Sequence, residues 1–166
     1  VGAEAGSNAN TAMVNYSNGP WYAGLGHTAI QNVGKTTNLG LGWKAEAGHN
    51  VGLVYEVAKG ATTSTAGTET VGIPGGGAKD KNVYLAGGYK MGNVTLKAGY
   101  GESKRSGAAL GSNGKEKQTT VGVDYSLGKK TALYLLHNDD KNTNKTETSA
   151  NATRVKATAV GLVTEF

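Results

Sequence analysis

Lys81-Asn-Val-Tyr-Leu-Ala-Gly-Gly-Tyr-Lys90, Met91-Gly92 and Asn93-Val-Thr-Leu-Lys-Ala-Gly-Tyr-Gly-Glu-Ser-Lys104 run consecutively in this chain. Val83, Leu85 and Tyr89 alternate with Asn82, Tyr84, Gly88 and Lys90, and after Met91-Gly92 the residues Val94, Leu96, Ala98 and Tyr100 alternate with Thr95, Lys97, Gly99 and Gly101. Successive side chains of a strand point to opposite faces, so an apolar residue at every second position marks a strand with one apolar face. The two runs are separated by a glycine-containing connection too short for anything but an antiparallel hairpin.

The same period extends outward in both directions. About nine strands can be read, over Asn8–Ser17, Trp21–Ile30, Thr36–Lys44, Asn50–Lys59, Lys81–Lys90, Asn93–Lys104, Lys117–Ser126, Thr131–Asn138 and Thr153–Phe166. Each lies near the roughly 9 to 11 residues that a tilted strand needs to cross a bilayer. One architecture therefore accounts for residues 1–166 as a single domain. In the strand over 131–138, both Leu133 with Leu135 and Tyr134 with Leu136 could belong to the apolar face, and its parity stays open.

Composition argues against a soluble core. Leu, Ile, Val and Phe together number 29 of 166 residues, below the one-fifth level at which soluble chains usually fail to fold, while Gly is high at 27 and Pro is only 2. No run of about 18 apolar residues could cross a membrane as a helix, so a spanning form of this chain must be a barrel. Val1–Gly6 carries no charged and apolar leader pattern, so any signal peptide is expected to lie outside the chain. With no cysteine, disulfide scaffolds and thiolate metal sites are excluded. The net charge of +5 is spread along the sequence without aromatic interleaving, which argues against nucleic acid as a partner.

The connections 18–20, 45–49, 91–92 and 127–130 are short, and 31–35, 60–80, 105–116 and 139–152 are longer, so short and long alternate. Outer-membrane barrels segregate loop length in this way, with tight turns on the periplasmic side. An aromatic girdle is then expected on the apolar face: Tyr16, Trp21, Trp43, Tyr89, Tyr125 and Phe166 beside the short turns, and Tyr55 and Tyr100 toward the long loops. On the other face, Lys44, Glu56, Tyr84, Lys90, Lys97 and Asp124 would line water, with a slight basic excess that predicts a slight preference for anions. Counting by twos, the apolar rows meet the long loops at Lys35, Lys59, Lys81, Lys104, Lys117 and Arg154, all basic. Cations at that depth suit lipopolysaccharide phosphates, with their aliphatic stems on apolar surface.

Catalytic and metal chemistry find little support. His27, His49 and His137 have no acid or serine partner assignable by spacing and read as surface or interfacial residues. Gly72–Lys79 lacks the Gly-Lys-Ser/Thr ending of a phosphate loop and reads as an extracellular connection. Asp139 and Asp140, with Asn138 and Asn142, could hold calcium only weakly, and a solvated loop is the better reading. No cofactor and no metal are expected.

The final stretch, Ala157-Thr-Ala-Val-Gly-Leu-Val-Thr-Glu-Phe166, resembles the C-terminal insertion signal of outer-membrane barrels. Thr119–Tyr134 resembles the strand, Leu-Ser-Lys-Arg-Thr turn and strand near the end of Gram-negative general porins, especially the β-proteobacterial type, and Ser17-Asn-Gly-Pro20 is similar to a mid-chain hairpin of that family. The resemblance implies a homotrimer of 16-stranded outer-membrane barrels through which small hydrophilic solutes and ions diffuse passively. The chain is similar to the C-terminal nine strands of such a barrel. Nothing in it resembles the family's inward-folded constriction loop, so the family's eyelet residues are not carried over.

Strand parity bears on the same point. Single-chain bacterial barrels have an even strand count with both ends periplasmic, and nine strands do not satisfy this. Either further strands complete the barrel, or Val1–Pro20 does not span and 21–166 close as eight; the alternation in Thr11–Tyr16 favours the first. Functional alternatives are a small eight-stranded barrel with a structural or adhesive role, and a barrel enzyme.

Overall fold

The structure, a computed structural model, describes residues 8–61, 74, 76–107, 113–146 and 149–164. Nine strands follow one another: β1 (Ala9–Asn18), β2 (Trp21–Ile30), β3 (Gly34–Lys44), β4 (Asn50–Gly60), β5 (Lys79–Met91), β6 (Val94–Ser106), β7 (Asn113–Ser126), β8 (Thr131–Thr146) and β9 (Ser149–Thr164). They form one antiparallel meander in the order β1 to β9, each strand paired with its sequence neighbours. β1 pairs with β2 from Ala9↔Ile30 to Asn18↔Trp21 and so occupies the edge of β2 that an eight-stranded closure would need for β9. The eight-stranded alternative is thereby corrected. Among the described residues, β1 and β9 each have a single neighbour and the sheet is open.

Tight turns set the register on one side. Asn18↔Trp21 and Met91↔Val94 close two-residue hairpins whose first turn residues, Gly19 and Gly92, have φ of 54° and 56°. A glycine with positive φ at the first central position is the demand of a type II′ turn, and Pro20 at the second suits the negative φ required there.

On the other side the loops are shorter than their sequence suggests, and the expected strict alternation of short and long connections fails, since 31–33 is shorter than 45–49. Asn32, with φ 64°, lies in a connection of only 31–33. Of the segment 139–152, expected as a loop, 139–146 and 149–152 are strand: β8 and β9 stay in register from Asp139↔Lys156 to Thr146↔Ser149. The stretch 105–116 likewise contributes its ends to β6 and β7, leaving 107–112 as the connection. Strands 16 residues long exceed a bilayer crossing, and at about 3.3 Å per residue they project well beyond it. There both faces meet water, so the ladder continues without apolar alternation to betray it.

The register divides the strands into two continuous faces. One carries Val14, Leu25, Leu39, Tyr55, Val83, Glu102 and Lys117, linked by successive pairings. Leu133 and Leu135 lie opposite Tyr125 and Val123, which assigns them to this face and Tyr134 and Leu136 to the other. Most of its large apolar residues are exposed, including Val14 at 70%, Trp21 at 61% and Val160 at 78%. An apolar surface of this extent is far larger than water-soluble monomers tolerate. Apart from glycines, the buried described residues, Ala58, Pro74, Ala78 and Asp80, cluster where β4 and β5 approach their connection.

Candidate pore wall and lipid-facing rim

From β2 to β7 the polar face is built chiefly from glycine, short polar residues and a few charges, with Val54 an exception, while at the edges it also carries Met13 on β1, Leu136 on β8 and Val155 and Val163 on β9. Its rows include Lys44↔Asn50↔Gly88↔Lys97↔Gly122 and Asn38↔Glu56↔Asn82↔Ser103↔Glu116. Lys44, Lys90, Lys97, Glu56, Tyr84 and Asp124 all share this face, as their spacing leads one to expect. Lys97 forms an ion pair with Asp124 on the adjacent strand, the lysine side chain half exposed and the aspartate less so. Asn82 donates from Nδ2 to Glu56 Oε1 at 3.0 Å.

The sequence reading missed four charges on this face. Asp80 accepts two bonds from Arg105, at 2.9 and 2.7 Å. Glu116 and Asp140 lie further along the same face. All four fall in segments read as loop or loop edge, where parity was not counted. The described strands thus carry Lys44, Lys90, Lys97 and Arg105 against Glu56, Asp80, Glu116, Asp124 and Asp140. The basic excess that supported an anion preference disappears. Sign instead varies along the wall: Lys44 and Lys90 stand beside the short turns, and Asp80, Glu116 and Asp140 toward the opposite end.

Three tyrosines lie against this wall. A Cβ built on Gly99 would meet Tyr84 Oη at 2.7 Å, and one on Gly101 would meet Tyr84 Cδ2 at 3.0 Å. A Cβ on Gly24 would meet Tyr22 Oη at 2.8 Å, and one on Gly161 would meet Tyr134 Oη at 2.6 Å. Each ring therefore occupies space that a side chain would otherwise fill.

On the apolar face, aromatics gather at the short-turn end. Trp21 and Trp43 are cross-strand partners with ring centroids 6.5 Å apart. Tyr89 stacks on His49 at 4.4 Å and 11°. His49 Nδ1 accepts the backbone N–H of Lys90 at 3.0 Å, which leaves the ring proton on Nε2. His27 and His137 share the apolar face and bond to Thr37 and Thr158, each at 2.8 Å. Tyr16 and Tyr125 sit near the ends of β1 and β7, and Tyr55 and Tyr100 lie further from the turns. Phe166 lies outside the described residues.

Toward the other end this face becomes basic in an ordered way. Lys35↔Lys59↔Lys79, Lys81↔Lys104↔Lys115 and Lys117↔Lys141↔Arg154 are three triplets of directly opposed cations. Lys79, Lys115 and Lys141 were missed because the strands continue past the expected loop edges. Two acids interleave: Glu102 pairs with Lys115 at 2.7 Å, and Asp139 accepts Arg154 Nε at 2.7 Å.

Asp139 and Asp140, expected in a solvated loop, lie instead in β8. Asp139 and Asp140 are consecutive strand residues on opposite faces, and Asp139 is engaged by Arg154. Among the described residues, no three His, Cys, Asp or Glu side chains come together. Gly77–Asp80 leads into β5 rather than a helix, so the phosphate-loop geometry is absent there; the rest of that segment lies largely outside the described residues.

A meander with one continuous apolar face, interfacial aromatics and a polar second face defines the wall of an outer-membrane β-barrel. A family model describing Gram-negative porins matches residues 1–145. The chain belongs to the Gram-negative porin family, and is a channel protein of the bacterial outer membrane. A comparison with curated proteins finds no match.

Proposed function

We propose that this chain forms part of the wall of a water-filled channel for passive diffusion of small hydrophilic solutes and ions, without a chemical step. The observation that carries the reading is the partition of β2 to β7 into a polar and an apolar face, continuous across their register. Residues 1–166 act as one domain whose two open edges are completed by further strands, and the finished barrels assemble as homotrimers. The near balance of charge on the polar face supports weak ionic selectivity rather than an anion preference. The three basic triplets support contact of the apolar rim with lipopolysaccharide phosphates.

Planar-bilayer recording of the full-length protein tests the channel. Stepwise conductance is expected, and its absence from folded protein counts against the reading. Reversal potentials in a salt gradient test the wall. Asp124→Asn removes the partner of Lys97 and leaves one more positive charge facing water, so preference should move toward anions. No movement would take Lys97 and Asp124 out of the conducting path.

A further inference from the structure

Glycines opposite the tyrosines of the polar face do more than permit a strand. Tyr84 is the cross-strand partner of Gly101, and Ala86 that of Gly99. The ring leans diagonally from β5 across the β6 backbone, its Cδ2 over Gly101 and its Oη over Gly99. A residue with a Cβ at Gly99 would come within 2.7 Å of that oxygen and 3.3 Å of Cζ. A tyrosine ring is rigid beyond χ2, so the contact is relieved only by swinging the whole ring about χ1 or χ2, away from the backbone. The far side of the wall is blocked by the strand, so the free direction is the open space above the polar face.

That space is not featureless. Tyr84 borders two recesses, one of about 290 Å³ that includes Lys97, Gly99 and Thr120, the other of about 260 Å³ that includes Glu56, Asn82 and Glu116. It stands between a basic and an acidic stretch of the wall. Tyrosine rings lie over glycines elsewhere on this face in other geometries, Tyr22 over Gly24 two residues along β2, and Tyr134 over its direct cross-strand partner Gly161.

We infer that Gly99, with Gly101, is a width-setting residue of the channel: by lacking a Cβ it lets Tyr84 lie flat, and so keeps the passage between the two recesses open. The inference rests on the channel reading and adds to it the residues that fix the bore at this level.

Single-channel conductance of the full-length protein is compared for wild type, Gly99→Ala, Tyr84→Ala, the double variant and Gly52→Ala. Gly52 shares the polar face, and a Cβ there meets only Leu41 O at 3.7 Å. The same methyl group is thus added to the wall with no ring in its way. Gly99→Ala should conduct roughly 1.3-fold less than wild type, from a raised ring narrowing the path. The double variant should return to the level of Tyr84→Ala, and Gly52→Ala should match wild type. Heat-modifiable mobility on gels verifies folding of each. Equal conductance of Gly99→Ala and Gly52→Ala overturns the inference, as does a deficit in Gly99→Ala that removal of Tyr84 leaves in place. A wild type that does not conduct instead overturns the channel reading, and the inference with it.

Discussion

Lys59, Lys81 and Lys104 each stand opposite another cation, in the pairs Lys35↔Lys59, Lys59↔Lys79, Lys81↔Lys104 and Lys104↔Lys115. Like charges directly opposed across a ladder destabilise it, and with three such triplets on one face the cost accumulates. Glu102 and Asp139 offset part of it through Lys115 and Arg154. Anions supplied from outside would offset the remainder. Phosphates do this well, because each can accept charge-assisted bonds from more than one cation. Replacing Lys59, Lys81 and Lys104 together by Gln should leave conductance nearly unchanged, since all three face away from the polar wall, while lipopolysaccharide retained through purification falls. Equal retention by folded wild type and variant, assayed by phosphate or fatty-acid content, would remove these lysines from the contact.

At the level of single elements, the turns bear the sharpest conformational demand. Gly92 has φ 56° and a Cβ there would meet nothing within 4 Å; at Gly128, in the turn between β7 and β8, a Cβ also meets open space, and φ is not in the left-handed region. The two differ in backbone conformation and not in room. Gly92→Ala should therefore cost about 1 kcal/mol of stability, and Gly128→Ala about half of that or less. Denaturant unfolding in detergent measures both, and equal effects would mean that φ at Gly92 is not the constraint. Such turns were legible in the sequence because glycine marks them, and the strand cores were legible because lipid on one side and water on the other enforce a period of two. The upper hairpin of β8 and β9 was not. Asp139, Asp140, Lys141 and Asn142 are polar on both faces, so their sequence carries no period even though their backbones pair. For the same reason the polar-face positions of Asp80, Arg105, Glu116 and Asp140, and with them the charge balance of that face, are visible only through the register. The parity of β8 was hidden by the opposite circumstance, because Leu133, Tyr134, Leu135 and Leu136 are all apolar or aromatic.

For the molecule as a whole, two facts pull against each other: the sheet is open, yet an open edge in hydrocarbon leaves unpaired N–H and C=O groups at several kcal/mol apiece. β1 and β9 must therefore be paired in the membrane. They run in the same direction, since strands alternate along the meander, so direct closure would require a parallel seam. Interior width also argues against it. A barrel of about eight strands leaves an interior just wide enough for side chains to fill, whereas 16 to 18 leave an aqueous channel. With Tyr22, Tyr84, Tyr134, Lys97 and Glu56 all on the polar face, a nine-stranded barrel would have its interior occupied. Strands beyond these nine are the arrangement consistent with a pore. Engineered cysteines test this cleanly, as residues 1–166 contain none. Leu136→Cys with Ala159→Cys, cross-strand partners, should form a disulfide on mild oxidation and serves as the positive control. Asn15→Cys combined in turn with Ala157→Cys, Ala159→Cys or Gly161→Cys samples several registers between β1 and β9 on the polar face. No intrachain disulfide is expected from any of these combinations in the folded full-length protein. A disulfide from any one of them would mean that the nine strands close on themselves, and that the route for solutes lies somewhere other than through a wider barrel.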